Sequence, residues 1–287
     1  MDVAVVGAGR VGTAMAVLLR RAGHRIVAVS GSEATHERAA TYLPGVPVRS
    51  NEDAARGAEV VLIGTPDTAI ESACTGLATA GAVGGDSSVA HLSGATGLDA
   101  LAAARSSGAR VLSLHPLQTC PGVDAGIERI PRSPFAVSAF EEPAFELGER
   151  LATDVGGRPF RLDDASKPVY HAAAVFASNY LVAITALAER LERAAGLRES
   201  LAVLGPLQRA TLDNVHAMGV GDALTGPAVR GDAATVDRNL RALAEHAPEA
   251  IAAYVALAEV ALRLAADGGR LDAPAREAVE EVLARWK

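Results

Sequence analysis

Short apolar runs alternate with amphipathic stretches through the first part of the chain. These runs are apolar almost throughout, which is typical of strands in a parallel sheet that helices cover on both faces. The predicted strands are Asp2–Gly7, Arg25–Ser30, Val46–Arg49, Glu59–Gly64, Ser88–Leu92, Arg110–His115, Phe135–Ser138 and Arg158–Leu162. The predicted helices between them are Arg10–Ala22, Glu33–Tyr42, Asn51–Arg56, Asp67–Ala80, Gly97–Ser106 and Pro143–Thr153.

The strand pattern stops after Leu162, and only helical periodicity follows. The predicted helices there are Pro168–Ala195, Leu207–His216, Ala233–His246, Glu249–Ala266 and Ala273–Arg285. This change predicts an α/β protein in which a doubly wound Rossmann domain, residues 1–162, precedes an all-α domain, residues 163–287.

Composition and charge narrow the classes of function. The chain has 287 residues, 49% hydrophobic and 21% charged, with a net charge of -7. A mildly acidic surface argues against nucleic acid as a partner, since that needs a basic footprint. Cys74 and Cys120 lack metal-ligand spacing and are typical of reduced thiols in a cytoplasmic protein. We expect no bound metal, and the first residues lack the basic region of a signal peptide.

One segment is long and apolar enough to cross a membrane. Val169–Ala188 carries no formal charge apart from a protonated His171. It also contains Ser178, Asn179 and Thr185, which would be costly in hydrocarbon. We therefore expect a buried helix of a soluble domain and no membrane partner.

A glycine motif opens the first predicted helix. The sequence GAGRVG places Gly7, Gly9 and Gly12 in the G-x-G-x-x-G arrangement, directly after a strand. In such motifs the first glycine permits a tight turn, the second admits a pyrophosphate, and the third allows close packing of helix on strand. With Arg10 and Val11, these residues are the predicted phosphate-binding turn, the alternative being a bare strand-to-helix turn.

The end of the second strand bears on the choice of dinucleotide. An NAD site usually has an acidic residue there, which binds the ribose diol. This strand ends in Ser30, with Ser32 just beyond and Glu33 three residues late, while Arg10 and Arg38 could reach a 2′-phosphate. We therefore predict NADP as the cofactor, with NAD as the alternative, although both serines could simply form a polar turn.

Other strand ends of the predicted sheet also carry polar residues. Thr65 with Pro66 follows one strand and Ser93 another, where the cofactor would lie outside the carboxyl ends of the strands. His115 and Gln118 follow a third strand and are candidate substrate-binding residues. The alternative for this last pair is that both only satisfy backbone groups in a loop.

Lysine is nearly absent from the chain. Of 27 basic residues only Lys167 and Lys287 are lysines. Lys167 precedes Pro168 at the predicted start of a helix, the end at which the helix dipole disfavours a cation. We therefore expect a lowered pKa for Lys167, as a proton donor near neutral pH requires.

A stripe of polar residues follows Lys167. At about 100° per residue His171 and Ser178 fall on its helix face and Asn179 on the flank, so all four are candidate catalytic residues. Alternatively, the lysine faces solvent and the others bond to neighbouring helices. Further on, Arg230 is a candidate for binding a substrate carboxylate, and Asp232 either joins it or caps the following helix.

These motifs resemble one protein family. GAGRVGTA, HPLQT, KPVYHAAAVFASNYLVA and ALTGPAVRGDAATV together resemble Rossmann-like proteins with C-terminal domain of unknown function 2520. That branch lies in the superfamily of 6-phosphogluconate dehydrogenase, ketopantoate reductase, hydroxyisobutyrate dehydrogenase and pyrroline-carboxylate reductase. The resemblance implies a Rossmann domain, a helical domain and a homodimer formed through the latter.

The resemblance also implies a chemistry. In ketopantoate reductases and hydroxyacid dehydrogenases, a lysine opening the first helix of the second domain donates the proton, with asparagine one turn later. Lys167 matches that lysine, whereas His171 stands one turn later and asparagine first appears at Asn179. We expect an NADP-dependent reductase of a small, ketopantoate-like 2-oxo acid. The alternatives are reduction of an imine or a deazaflavin, or an NADP-sensing protein without catalysis.

Overall fold

The computed structural model describes residues 1–198 and 200–287 of the chain. These residues divide into two compact units, Met1–Asn179 and Tyr180–Lys287. The first unit extends beyond Leu162 because side chains of the following helix bond to the ends of the sheet, as described below. The domain boundary after residue 162 stays a prediction.

A seven-stranded sheet forms the centre of the first unit, in the order β2-β1-β3-β4-β5-β6-β7. Its strands are β1 Asp2–Val6, β2 Arg25–Ser30, β3 Val60–Ile63, β4 Ser88–His91, β5 Arg110–Pro116, β6 Pro134–Ala139 and β7 Arg158–Arg161. The neighbouring strands β2, β1, β3, β4 and β5 run parallel to one another, β6 is antiparallel to β5, and β7 is parallel to β6. The predicted doubly wound α/β fold is confirmed, with an antiparallel addition at one edge.

Helices cover both faces of this sheet. The helices of the first unit are α1 Arg10–Arg21, α2 Ala34–Tyr42, α3 Asn51–Ala55, α4 Ile70–Thr79, α5 Ala102–Ser106, α6 Val123–Arg129, α7 Glu142–Asp154 and, after β7, α8 Lys167–Ala177, which is buried only at Lys167. Short 3-10 turns lie at Asp67–Ala69, Leu98–Leu101 and Asp164–Ser166. Alternate residues of each strand enter different cores: Val5 and Leu62 pack on one face, and Val6 and Ile63 on the other.

Two local predictions in this unit were wrong. Val46–Arg49 forms only an isolated bridge, between Val48 and Val29, rather than a strand. Pro47 lacks the N–H that a ladder needs, which weakens pairing at this sheet edge. Helix α6 was not predicted, because its seven residues are too few to show a clear helical period.

In its described residues the second unit contains helices and no strand, as predicted. These are α9 Asn179–Ala194, α10 Ser200–Ala223, α11 Ala233–His246, α12 Ile251–Asp267 and α13 Ala273–Ala284, with a 3-10 turn at Pro248–Ala250. The unit has its own core, which includes Val236, Leu240 and Val279, each 0% exposed. Helix α10 is interrupted at Gly219, whose φ of 83° lies outside the helical region.

The long apolar helix predicted over Pro168–Ala195 differs from the structure in two respects. It is two helices, because the backbone leaves helical geometry at Ser178 (φ -124°, ψ -69°). Contrary to our expectation, it is also not buried within the chain: Val169 is 76% exposed, Phe176 69% and Val182 69%. By length and composition the stretch Asp164–Ala194 could cross a membrane, since an 18-residue window within it has a mean hydropathy of 1.5.

Candidate active site

The glycine turn after β1 has the geometry that its sequence predicts. Gly7 adopts φ +85°, and an added Cβ would lie 2.6 Å from Thr65 N, so no side chain fits there. At Gly12 a Cβ would lie 2.9 Å from Gly7 O and 3.2 Å from Val5, which reflects close packing of α1 on β1. At Gly9, by contrast, a Cβ would meet nothing within 4 Å. The turn is therefore tight on the protein side and open on the other.

Hydrogen-bonding groups at this turn fit a bound phosphate group. Thr13 N donates to Gly9 O, while helix geometry leaves the N–H groups of Arg10, Val11 and Gly12 without an acceptor in the helix. Such amides, with the helix dipole, favour an anion. In addition, Thr65 Oγ1 is buried and has no hydrogen-bond partner. These residues therefore fit the pyrophosphate of a dinucleotide.

The end of β2 presents serine and arginine rather than an acid. Ser30 is 1% exposed, and its hydroxyl donates to Asn51 Oδ1 at 2.7 Å. Arg38 donates through Nε to Ala8 O at 3.0 Å and through Nη2 to Thr35 Oγ1 at 3.1 Å. This guanidinium is therefore fixed beside the glycine turn.

The other residues predicted to bind the cofactor differ in exposure and in hydrogen bonding. Ser32 and Pro66 are exposed. Arg10 donates from Nη1 to Pro121 O at 3.1 Å, in the loop before α6, and its reach to a 2′-phosphate stays a prediction. The Ser93 hydroxyl accepts from Ala95 N and Thr96 N, so it shapes the turn after β4.

Lys167 lies at the centre of a polar cluster, called the lysine cluster below, which also contains Ser93, Ser113, His91, His115 and Tyr170. It is 0% exposed, and its Nζ donates to Ser113 Oγ at 2.7 Å and to Ser93 O at 3.1 Å. Ser113 lies in β5, and Ser93 follows β4. The alternative in which the lysine faces solvent is therefore wrong for this structure.

The surroundings of Lys167 make its ammonium easier to deprotonate. Burial lowers the pKa of Lys167 from 10.5 to about 8, against the opposing effect of Asp164 and Asp67. The predicted direction agrees, but its cause is mainly burial rather than the helix end. Both oxygens of Asp164 accept from Leu98 N, at 3.1 and 3.0 Å, so this carboxylate is committed to the turn after β4.

His115, at the end of β5, is paired with a tyrosine of α8. His115 Nδ1 lies 2.9 Å from the Tyr170 hydroxyl. The imidazole stands against Gly94, where an added Cβ would lie 2.7 Å from its Cε1. Burial first, then Lys167 and His171, lower the pKa of His115 to about 4. The ring is therefore neutral at pH 7.

A second buried histidine supports the same turn. His91 is 0% exposed, lies opposite Ser113 in the sheet, and accepts from Ser93 N through Nδ1 at 3.2 Å. Burial, with Lys167 next, lowers the pKa of His91 to about 3. His91 thus helps to fix the segment whose carbonyl binds Lys167.

Gln118 has its amide bonded within its own loop. Its Nε2 donates to Ser133 Oγ at 3.1 Å, and its Oε1 accepts from Thr119 N at 2.8 Å. These contacts agree with the alternative that Gln118 satisfies loop groups. Its assignment to substrate stays a prediction.

The polar stripe that we predicted after Lys167 is only partly preserved. His171 lies on α8, where it is among the groups that lower the pKa of His115, and its buried Nδ1 has no hydrogen-bond partner. Ser178 ends α8 by donating its N–H to Ala174 O, and Asn179 begins α9. The helical angles that aligned both with Lys167 assumed an unbroken helix, so this argument fails for them.

Arg230 and Asp232 belong to the second unit. Asp232 caps α11, with Oδ1 accepting from Thr235 N at 3.0 Å, which is the capping alternative. Bonding to Thr235 lowers the pKa of Asp232. Arg230 is exposed, and its role in binding a carboxylate stays a prediction.

Three contributors to the cluster were missed in the sequence: Ser113, His91 and Tyr170. After Arg110, Ser113 and His115 are the polar residues of this strand, and period two places both on one face. Tyr170 stands three residues after Lys167, which places it on the same helix face. His91 carries no signal of its own, because a lone histidine in a strand is usually structural.

Parallel strands place the glycine turn and the lysine cluster at one edge of the sheet. The turn follows β1, Thr65 follows β3, and the lysine's partners lie at β4 and β5, the adjacent strands. With a strand spacing near 4.8 Å, β1 and β4 are about 10 Å apart. Ligands of open α/β sheets bind outside this edge.

Two family models match the chain. Residues 1–116 match the Rossmann-like domain, and residues 133–261 match the domain of unknown function DUF2520. A Rossmann-like match is thus followed along the chain by a DUF2520 match, which confirms the resemblance inferred from its motifs. The lysine cluster combines both matches, since Ser93 and Ser113 lie in the first and Lys167 in the second.

Solved structures of similar fold include oxidoreductases. The candidate NADP oxidoreductase BF3122 from Bacteroides fragilis is 23% identical (TM-score 0.76), covering 91% of this chain and 98% of its own. Protein TM1727 from Thermotoga maritima is 23% identical (TM-score 0.70; 94% and 100% covered). An imine reductase from Myxococcus stipitatus, in complex with NADP+, is 16% identical (TM-score 0.68; 100% and 99% covered). Among curated proteins none matches the chain.

Proposed function

We propose that this protein is an NADP-dependent reductase of a small 2-oxo acid. The observation that carries the proposal is the buried, proton-poised Lys167 at the sheet edge that also bears the glycine turn. Perturbed ionisable groups that converge beside a cofactor site are typical of active sites. The predicted use of NADP agrees with the solved structures of similar fold, one of which contains NADP+.

The glycine turn and the end of β2 would hold the cofactor. Gly7 and Gly12 allow the tight turn, Gly9 leaves room for the pyrophosphate, and the free amides of α1 would bind it. Arg38, beside the turn, would bind a 2′-phosphate, and the absence of an acid at Ser30 removes the usual partner of an NAD ribose. When bound, NADPH supplies the hydride, while the protein contributes orientation and electrostatics.

Lys167 would supply the proton. A carbonyl oxygen that gains negative charge during reduction requires a proton donor, and an ammonium with a pKa near 8 is suited to that task at neutral pH. Ser113 and Ser93 would orient the donor. His171 and Asn179 would orient the substrate, as would His115, while Ser178 stays a prediction without a contact to support it.

The charges around Lys167 favour an anionic substrate over an imine. His115, His171 and Lys167 crowd one site, and the positive charge of Lys167 lowers the pKa of His115. A substrate carboxylate would be attracted by the Lys167 ammonium, whereas an iminium cation would be repelled by it. The role of Arg230 in binding that carboxylate stays a prediction. Imines and deazaflavins stay alternatives, as does an NADP-sensing protein, which would need no buried lysine.

Oxidation of NADPH against a panel of substrates tests this function. The panel contains small 2-oxo acids, cyclic imines and a deazaflavin, each read by the loss of NADPH absorbance. We expect turnover with 2-oxo acids, ketopantoate among them, and little with imines. Turnover confined to imines or a deazaflavin would reassign the substrate, and NADPH binding without any turnover would favour the sensor.

We also propose a cytoplasmic homodimer formed through the helical part of the chain. Val169, Phe176 and Val182 are exposed apolar residues on α8 and α9, and a second copy would cover them. Cys74 and Cys120 are free, as expected of a reducing compartment. Light scattering of the purified protein should give a dimer at micromolar concentration. A monomer, or protein that is extracted only with detergent, would contradict this.

A further inference from the structure

The lysine cluster leaves one question open, namely whether the Lys167 ammonium or the Tyr170 hydroxyl is more accessible to a ligand. Lys167 is 0% exposed, and two of its three N–H donors are bonded to Ser113 and Ser93. Tyr170 is only partly buried, and its hydroxyl is bonded to His115. The phenol is therefore the more accessible donor of the two.

The Tyr170 ring is held between two aromatic neighbours. His115 meets it edge-on, with ring centroids 5.7 Å apart and planes at 86°. Phe160 of β7 contacts it at 6.1 Å and 63°. His115 itself is backed by Gly94, where even a methyl group would collide with the imidazole. The phenol thus has a fixed orientation, as a substrate-binding group requires.

The direction of the bond between His115 and Tyr170 decides what the phenol can do. Because the imidazole is neutral at pH 7, one of its two nitrogens carries a hydrogen. The face of the ring, with Nδ1 and Nε2 alike, packs against Gly94, and the described contacts give Nε2 no protein acceptor. A donor without an acceptor is costlier than an acceptor without a donor, which favours the hydrogen on Nδ1. Tyr170 then accepts from His115 and keeps its own hydrogen for another partner.

We propose that Tyr170 is a second hydrogen-bond donor to the reacting oxygen of the substrate, oriented by a hydrogen bond that its oxygen accepts from His115 Nδ1–H. This assignment rests on the proposed reductase function. Tyr170 stabilises the oxygen and retains its proton. The carbonyl carbon gains a hydride and thus two electrons, the carbonyl π bond breaks, and the oxygen takes its proton from the Lys167 ammonium.

Nitrogen-15 NMR of the histidine rings tests the bond direction without any substrate. Long-range spectra distinguish protonated from unprotonated ring nitrogens, and the variant His115→Asn assigns the His115 signals by their loss. We expect a hydrogen on Nδ1 and a bare Nε2 at pH 7. A hydrogen on Nε2 would mean that the Tyr170 hydroxyl donates its hydrogen bond to His115 Nδ1, which would overturn the proposal.

Turnover of Tyr170→Phe tests the substrate contact. With the acid that the wild type reduces best, we expect kcat/KM to fall ~10- to 100-fold, the scale for a lost hydrogen bond to a developing charge. NADPH affinity should not change. The matched control is Tyr42→Phe, which removes a hydroxyl bonded to Asp124 elsewhere in the first unit and should be silent. Full turnover in Tyr170→Phe would overturn the proposal.

The two measurements separate this proposal from the reductase itself. If the wild type reduces none of the acids, the proposed function fails. The ring spectra then decide on the arrangement of His115 and Tyr170, since they require no turnover.

Discussion

The glycine turn and the lysine cluster lie at the same edge of one sheet, but they are built in opposite ways. The turn consists of backbone from consecutive residues, and its open side exists because Gly9 has no side chain. The cluster joins the side chains of Lys167 and Ser113 to the carbonyl of Ser93, groups from α8, β5 and the end of β4 that are far apart in the sequence. The turn therefore depends on the absence of a side chain at Gly9, and the cluster depends on contacts between particular side-chain and backbone atoms.

This difference predicts how each site fails. At Gly9, the open side of the turn, an added atom should block a ligand while the fold persists. In the cluster, a substitution that keeps the charge but removes a proton that can be released near neutral pH should stop chemistry while cofactor binding persists. Substitutions at the two places therefore separate binding from catalysis.

The largest expected effect is at Lys167. Lys167→Arg keeps a positive charge, but guanidinium does not release a proton near neutral pH. We expect turnover to fall at least ~100-fold, the usual scale for a lost general acid, with NADPH affinity unchanged. Steady-state kinetics and a fluorescence titration measure both quantities.

Controls separate the chemistry of Lys167 from its packing. Because the site is fully buried, Lys167→Ala is measured in parallel, and thermal unfolding reports whether each variant folds. Lys287→Arg should be silent, since this lysine forms a surface ion pair with Glu259. Unchanged turnover in Lys167→Arg would leave Lys167 as a charge that only positions the substrate.

The contrast between the two sites also explains what the sequence could predict. The glycine turn was predicted in detail because spacing along the chain fixes its backbone geometry. Lys167 and His115 were also identified, one by its rarity and the other by its place at a strand end. Their partners Ser113 and Tyr170 were not, because side-chain contacts between β5 and α8 depend on tertiary packing.

The break at Ser178 shows a second limit of sequence patterns. Apolar periodicity continues through Phe176 and Val182, so the pattern predicts one helix, and only the backbone geometry shows two. Burial was misjudged there because an apolar helix was assumed to be covered by its own chain. An exposed apolar face has the same sequence pattern as a buried one.

The next largest effect is expected at Gly9. Gly9→Ala adds a methyl group where the protein has open space, so thermal stability should change little. The methyl would occupy the side from which the pyrophosphate approaches, and we expect NADPH affinity to fall roughly tenfold or more. Gly85→Ala is the matched control, since its Cβ would also meet nothing within 4 Å. Equal NADPH affinity in both variants would place the cofactor elsewhere.

A smaller effect concerns the choice of cofactor. The wild type should bind NADPH at least several-fold more tightly than NADH, because Ser30 stands where an acid would hold the NAD ribose. Arg38→Ala should reduce this preference, whereas Arg10→Ala should leave it, since Arg10 is bonded to Pro121. Fluorescence titrations with both cofactors measure the ratio. Tighter binding of NADH would indicate that Glu33 holds the ribose.

The pH dependence of kcat/KM tests most directly whether Lys167 is the proton source. Because the pKa of Lys167 is lowered to about 8, its donor form prevails below that pH and is lost above it. His115 and His91 stay neutral near pH 7, since their pKa values are lowered to about 4 and about 3. The account predicts a level rate between about pH 6 and 7 and a tenfold fall per pH unit well above 8, absent from the residual activity of Lys167→Arg. A rate that stays level to about pH 10 in the wild type would contradict it.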